Sequence, residues 1–158
     1  MPPNKQPNSK MCFVCGVENP VGLHLHFYET EAGVVESKYV SPEHFQGYPG
    51  VLHGGIVSAL IDEVAGRSLM GPDSTAPRFM FTARLEIKYR KNVPIGETLR
   101  LVGKAGRSRG KSAEAWGAIY LARDGELLAE GKALLIDVPA SQLELTRLAD
   151  LGWQVVPD

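Results

Sequence analysis

The sequence predicts an α+β fold in which one long helix lies against one antiparallel β-sheet. Three observations carry this. Residues 56–70 contain neither proline nor a polar run, and Ile56, Val57, Leu60, Ile61, Val64 and Leu69 spread apolar side chains nearly all round a helix, which belongs inside a protein. Residues 79–90 alternate strictly, with Phe79, Phe81, Ala83, Leu85, Ile87 and Tyr89 on one face and mostly polar residues on the other, the pattern of a half-buried strand. Two β-like stretches precede the helix and four follow it, an order that layers one helix on one sheet wrapped around it. With 158 residues and 44% hydrophobic content, the chain supports one cored domain and no more.

Taken in order, residues 1–11 are polar and proline-containing and are expected to form a flexible N-terminal segment ahead of a domain spanning residues 12–138. They lack the apolar core of a secretory signal, so a cytoplasmic location is expected. Cys12 and Cys15 form CFVCG, a spacing shared by half zinc sites and redox pairs. A zinc tetrahedron needs two further ligands, for which His24 and His26 are the nearest candidates. The bland reading is favoured: reduced structural cysteines, two histidines on the polar side of a strand, and no metal. Residues 21–28 and 33–40 read as a hairpin with an acidic, glycine-bearing turn at 29–33.

Residues 41–52 form a loop by their prolines and glycines, and GPDSTAP at 71–77 stops the helix. After the strand at 79–90, residues 94–97 turn the chain into a strand at 98–104. Residues 113–122 and 127–138 then pair across Asp124 and Gly125, a strong tight-turn signal, which completes an expected four-stranded meander. Beyond Pro139, Leu143, Leu148 and Leu151 stand near helical spacing, so residues 139–158 are expected to be an extension carrying a short helix.

The helix charges point to chemistry. Glu63 and Arg67 are four apart with the acid first, a favourable solvated pair that needs no functional explanation. Asp62 has no local partner and looks over the small residues Ser58 and Gly66; a lone carboxylate on an apolar helix signals a requirement for it. At the other end, Gly54 and Gly55 leave the first helical N–H groups uncovered, a ready site for an anion or oxyanion. The eight residues between Gly54 and Asp62 span roughly 12 Å, too far for both to reach one carbonyl. A two-fold dimer with antiparallel helices solves this by bringing the glycine end of one chain to the aspartate of the other.

The loop, the HGG at 53–55 and Asp62 nine positions after His53 resemble the signature of hotdog-fold acyl-CoA thioesterases of the PaaI-like branch, over roughly residues 12–138. The resemblance implies a hotdog fold and hydrolysis of a coenzyme A thioester, with coenzyme A as part of the substrate and no cofactor. It implies Asp62 as general base or nucleophile, Gly54 with Gly55 as the oxyanion donors, and His53 as a shaping or contact residue. Relatives hold water with an amide side chain six residues before the histidine, where this chain has Gly47; Gln46 stands one residue earlier. Thr82 falls where relatives place a hydroxyl beside the carboxylate, although strict alternation puts it on the face opposite the core unless the strand is bulged there. Arg107, Arg109 and Lys111 in GRSRGKS are candidates to grip the nucleotide phosphates, against a solvated basic turn.

The expected partners are an acyl-CoA substrate and further copies of the chain, as a homodimer or dimer of dimers. A net charge of −1 and a basic turn without aromatics disfavour nucleic acid, and no apolar window spans a bilayer. The alternative function is a non-catalytic acyl-thioester binding module; a hydratase is a distant third, since its paired Asp and His motif is not seen.

Overall fold

A computed structural model describes residues 3–158. Its centre is a single helix, α1 (Gly54–Arg67), and a seven-stranded antiparallel sheet. In chain order the strands are β1 (Asn4–Lys5), β2 (Tyr28–Glu31), β3 (Val34–Val40), β4 (Met80–Tyr89), β5 (Thr98–Arg109), β6 (Ser112–Leu121) and β7 (Leu127–Asp137). Val57, Leu60, Ile61 and Val64 of α1 are buried against Val35, Leu99, Leu101 and Ile119 of the sheet. Each such side chain contributes about 2 kcal/mol of apolar burial. Gly71, at φ +86°, ends the turn after the helix, and Asp73 accepts the Thr75 N–H at 2.9 Å to hold the loop that follows.

A row of glycines lets the helix sit down on the sheet. Gly103, Gly117 and Gly131 are register partners across β5, β6 and β7. A Cβ on Gly103 would lie 1.9 Å from the Val64 carbonyl oxygen, and one on Gly117 would lie 2.8 Å from that of Ile61. The helix backbone therefore touches strand backbone, an approach open only to glycine.

The sheet departs from the expected meander. Its order is β1-β2-β3-β5-β6-β7-β4, so of the four strands after the helix only β5, β6 and β7 are sequential neighbours, while β4 pairs with β7 at the far edge and β3 pairs with β5. The cause lies in the return path from β4 to β5. Instead of turning tightly, it runs beneath the loop before the helix, where the Leu52 N–H donates to the Val93 carbonyl at 2.7 Å and Val93 is buried.

The ends also differ from expectation. Met1 and Pro2 of the segment expected to be flexible lie outside the described residues, but the rest is pinned. Asn4 and Lys5 pair with β2, and Asn8 is buried, its amide donating to the carbonyls of Cys15 and Leu25. The backbone acceptors along this path require donors, which explains buried polar residues in a polar segment. Residues 21–27 are not sheet: Leu23 and Leu25 bond back to Phe13 and Val14, although their burial still alternates with the more exposed His24 and His26. The expected C-terminal helix is two short 3₁₀ turns, Ala140–Gln142 and Leu145–Arg147; beyond them Trp153 packs edge-on against Phe79. No helix among the described residues is long and apolar enough to cross a membrane.

Candidate active site

The N-terminal end of α1 is built by a histidine. His53 is the N-cap, and its Nδ1 accepts the Gly55 N–H at 2.9 Å. The Ile56 and Val57 N–H groups both donate to the His53 carbonyl. Of the first helical donors, the Gly54 N–H alone has no acceptor among the described residues. The sequence expectation of two glycine donors is thus corrected to one, because the imidazole occupies Gly55. With Nδ1 accepting this bond, the neutral imidazole carries its proton on Nε2. Around this end opens a cleft of about 550 Å³ that includes His53, Gly54, Tyr89, Arg90 and Lys91. The Tyr89 hydroxyl lies 2.7 Å from Ser58 Oγ and donates to the Gly54 carbonyl at 3.0 Å, tying β4 to the first turn.

Asp62 faces a separate pocket of about 220 Å³. Thr82 Oγ1 donates to Asp62 Oδ1 at 2.6 Å, which the alternating pattern alone had placed on the wrong face. The reason is a β-bulge: Thr82 pairs with Leu135 and Arg84 with Leu134, so Ala83 is an extra residue. Before it Met80 and Thr82 turn inward, and after it Leu85 and Ile87 do. Phe81, expected in the core, is 49% exposed in consequence. Thr82 holds one carboxylate oxygen, and no described side chain donates to the other.

Gln46 is not brought to Asp62. Its Oε1 accepts the Gly50 N–H at 3.0 Å, which makes it part of the loop that presents His53. The GRSRGKS stretch is mostly the end of β5, with only the tight turn around Gly110 as connection. Arg107, Arg109 and Lys111 are exposed and form no ion pair among the described residues. Arg78, which lines the Asp62 pocket, forks onto Asp137 and donates to Ser108 Oγ at 3.2 Å, so the basic hairpin tip stands beside that pocket. The Arg78 guanidinium also holds the Asp137 carboxyl below its ordinary range.

The Glu63–Arg67 pair forms, at 2.9 Å, but not in solvent. Arg67 is 2% exposed, stacked against Phe27 and Trp153, with Nη1 on the Pro7 carbonyl. The N-terminal segment that covers it was invisible to a helix-surface argument. Cys12 and Cys15 line the Asp62 pocket as well. A hydrogen bond from the Cys15 thiol lowers the Cys12 thiol to about 6, while that bond and burial raise Cys15. Sequence reasoning also missed Ser58, Tyr89 and Arg78; only the apolar phase of Tyr89 gave any signal.

A family model described as the thioesterase superfamily matches residues 49–128, just over half of the chain. The chain belongs to this superfamily. Its helix and wrapping sheet are the hotdog arrangement. A rat protein, acyl-coenzyme A thioesterase THEM4, is 29% identical over 84 residues, covering 52% of this chain and 34% of that protein. The chain therefore spans about a third of that curated relative. A solved thioesterase superfamily protein is 27% identical with a TM-score of 0.72, covering 80% of this chain and 63% of the other. A Streptococcus mutans protein bound to acetyl CoA has the same fold, with a TM-score of 0.66 at 18% identity, covering 77% of this chain and 94% of that one.

Proposed function

We propose that this thioesterase-superfamily chain hydrolyses an acyl-CoA thioester. The observation that carries the reading is Thr82 donating to one oxygen of Asp62, which leaves the other to a pocket on an otherwise apolar helix. Held in this way, the carboxylate acts as general base on water or as nucleophile on the thioester carbonyl. A thiolate leaves readily, so a carboxylate and one oxyanion donor suffice. The donor is the Gly54 N–H, at the positive end of α1 and without a partner among the described residues. The names of the relatives support coenzyme A as the carrier.

Gly54 and Asp62 stand roughly 12 Å apart along the helix and open into different cavities, so each working site joins two chains related by a two-fold axis. Arg107, Arg109 and Lys111 then meet the nucleotide phosphates beside the Asp62 pocket. Gly47 carries no amide and Gln46 spends its Oε1 on the Gly50 N–H, which favours a non-catalytic binding module as the second reading.

Turnover of a panel of acyl-CoA thioesters, followed by released thiol, decides between the two. Asp62→Asn should fold and lose about 10²-fold or more in kcat. Gly54→Pro removes the N–H at the first helical position, where proline fits, whereas Gly54→Ala keeps it; only the former should inactivate. Refolded mixtures of Asp62→Asn and Gly54→Pro chains should recover up to about a quarter of wild-type activity, because half of randomly paired dimers retain one intact site. Wild-type turnover in Asp62→Asn would overturn the assignment, and folded mixtures without recovery would overturn the shared site.

A further inference from the structure

CFVCG remains outside the proposed reaction. The turn folds both cysteines toward one point: the Gly16 N–H donates to the Cys12 carbonyl at 2.8 Å, and the Cys15 N–H approaches Cys12 Sγ at 3.5 Å. Only glycine permits this, since a Cβ on Gly16 would lie 2.3 Å from the Cys12 oxygen. Glu63 reaches the same point from α1. Its Oε1 is held by Arg67 Nε at 2.9 Å, and no described residue donates to Oε2. Ligand atoms of Cys12, Cys15 and Glu63 all lie within 4.8 Å of one another, with Cys15 buried and the others half-buried. His24 and His26 take no part; His24 sits at φ +56° with its ring on the Asn19 carbonyl.

We propose that Cys12, Cys15 and Glu63 bind one thiophilic divalent cation of the zinc class. Two sulfurs and one carboxylate oxygen match the donors such an ion takes. Bonds of about 2.0–2.3 Å require donor separations near 3.5 Å, within reach of small side-chain rotations. Arg67 supplies the hydrogen bond that orients a ligating carboxylate, and its fixed charge offsets one of three ligand anions, leaving two for a divalent ion. Three protein donors leave a fourth position to water. The ion ties residues 12–15 to α1 one residue from Asp62, and so braces a wall of the Asp62 pocket. This site is independent of the proposed hydrolysis.

The test is titration of the reduced, chelator-treated full chain with Cd²⁺, read by thiolate-to-metal charge-transfer absorbance, with thiols counted beforehand. One ion per chain should bind, and its binding should raise Tm. Cys12→Ser and Cys15→Ser should each abolish the band and the Tm increase, and Glu63→Gln should weaken binding about 10-fold or more. Circular dichroism checks folding of Glu63→Gln, because Arg67 loses an ionic partner. An absent band with both thiols reduced would overturn the proposal. A folded Glu63→Gln that binds as tightly as wild type would also overturn it, leaving a bare dithiol.

Discussion

Alanine at the glycine row should destabilise the fold in a defined order. At Gly103 the new methyl would stand 1.9 Å from the Val64 carbonyl oxygen, where ordinary C···O contact is about 3.3 Å. Helix and strand would have to part by more than about 1 Å, backbone against backbone. At Gly117 the contact is 2.8 Å to the Ile61 oxygen, and about half an ångström of movement relieves it. At Gly131 the nearest atom, also at 2.8 Å, is the Cγ2 methyl of the buried and β-branched Ile61, with the Glu86 carbonyl oxygen at 3.1 Å behind it. Overpacking typically costs about 1–3 kcal/mol. Gly131→Ala and Gly117→Ala should each cost about 2 kcal/mol and Gly103→Ala more than the upper bound. Domains of this kind hold only about 5–15 kcal/mol in all, so the last should remove a large share of that stability. Urea denaturation reads this as a falling midpoint at constant slope. Activity adds a second readout: Ile61 precedes Asp62, so lifting α1 off Gly117 pulls Asp62 from Thr82, and a misplacement of order 1 Å can cost about 10²-fold. Wild-type stability in Gly103→Ala, or the reverse order of costs, would refute the close approach.

Thr82→Val keeps the shape and removes the donor to Asp62, so kcat should fall on the order of 10-fold or more with little change in urea midpoint; an unchanged kcat would make Thr82 a bystander. His53→Asn should retain a cap and most activity, while His53→Ala should lose about 1 kcal/mol of stability; a loss of about 10²-fold in kcat in a folded His53→Asn would instead assign His53 to proton transfer. Neutralising Arg107, Arg109 and Lys111 together should raise KM for coenzyme A thioesters more than it lowers kcat, most strongly at low salt, and an unchanged KM would return them to a solvated hairpin tip.

What could be read from the sequence was whatever depends on neighbours in the chain. The helix, the chain reversal at Asp124-Gly125 and the isolation of Asp62 are local facts, although the reversal is a longer loop, closed by the Gly125 N–H on the Leu121 carbonyl with Gly125 at φ +75°, and not a two-residue turn. Strand order is not local. Nothing in residues 79–97 says that β4 crosses to β7 rather than pairing with β5, because that choice rests on Val93 bonding to a loop forty residues earlier. The Glu63–Arg67 spacing predicted the pair and not its burial, since the cover comes from Gln6 to Asn8 and Trp153 at opposite ends of the chain. The glycine row did leave a trace: Gly103, Gly117 and Gly131 recur at a spacing of fourteen in three strands, with Gly106 as a further glycine in β5. Such a glycine signals close backbone approach, but only the register turns three of them into a seat for the helix.

The bulge at Ala83 links the two kinds of information. A ten-residue strand with strict alternation would bury Phe81 and turn Thr82 away from α1; one extra residue reverses that at the edge of the sheet. The apolar cost is visible, because Phe81 is left 49% exposed on a strand whose outer edge has no partner strand among the described residues. Edge strands with exposed aromatic residues invite pairing with another chain. The bulge thus has two effects: it places the hydroxyl on Asp62 and leaves an apolar side chain on the outside of the edge strand. A single chain holds the carboxylate and its hydroxyl in one pocket and the uncommitted Gly54 N–H in another, and it is this separation that the proposed pairing of two chains is meant to close.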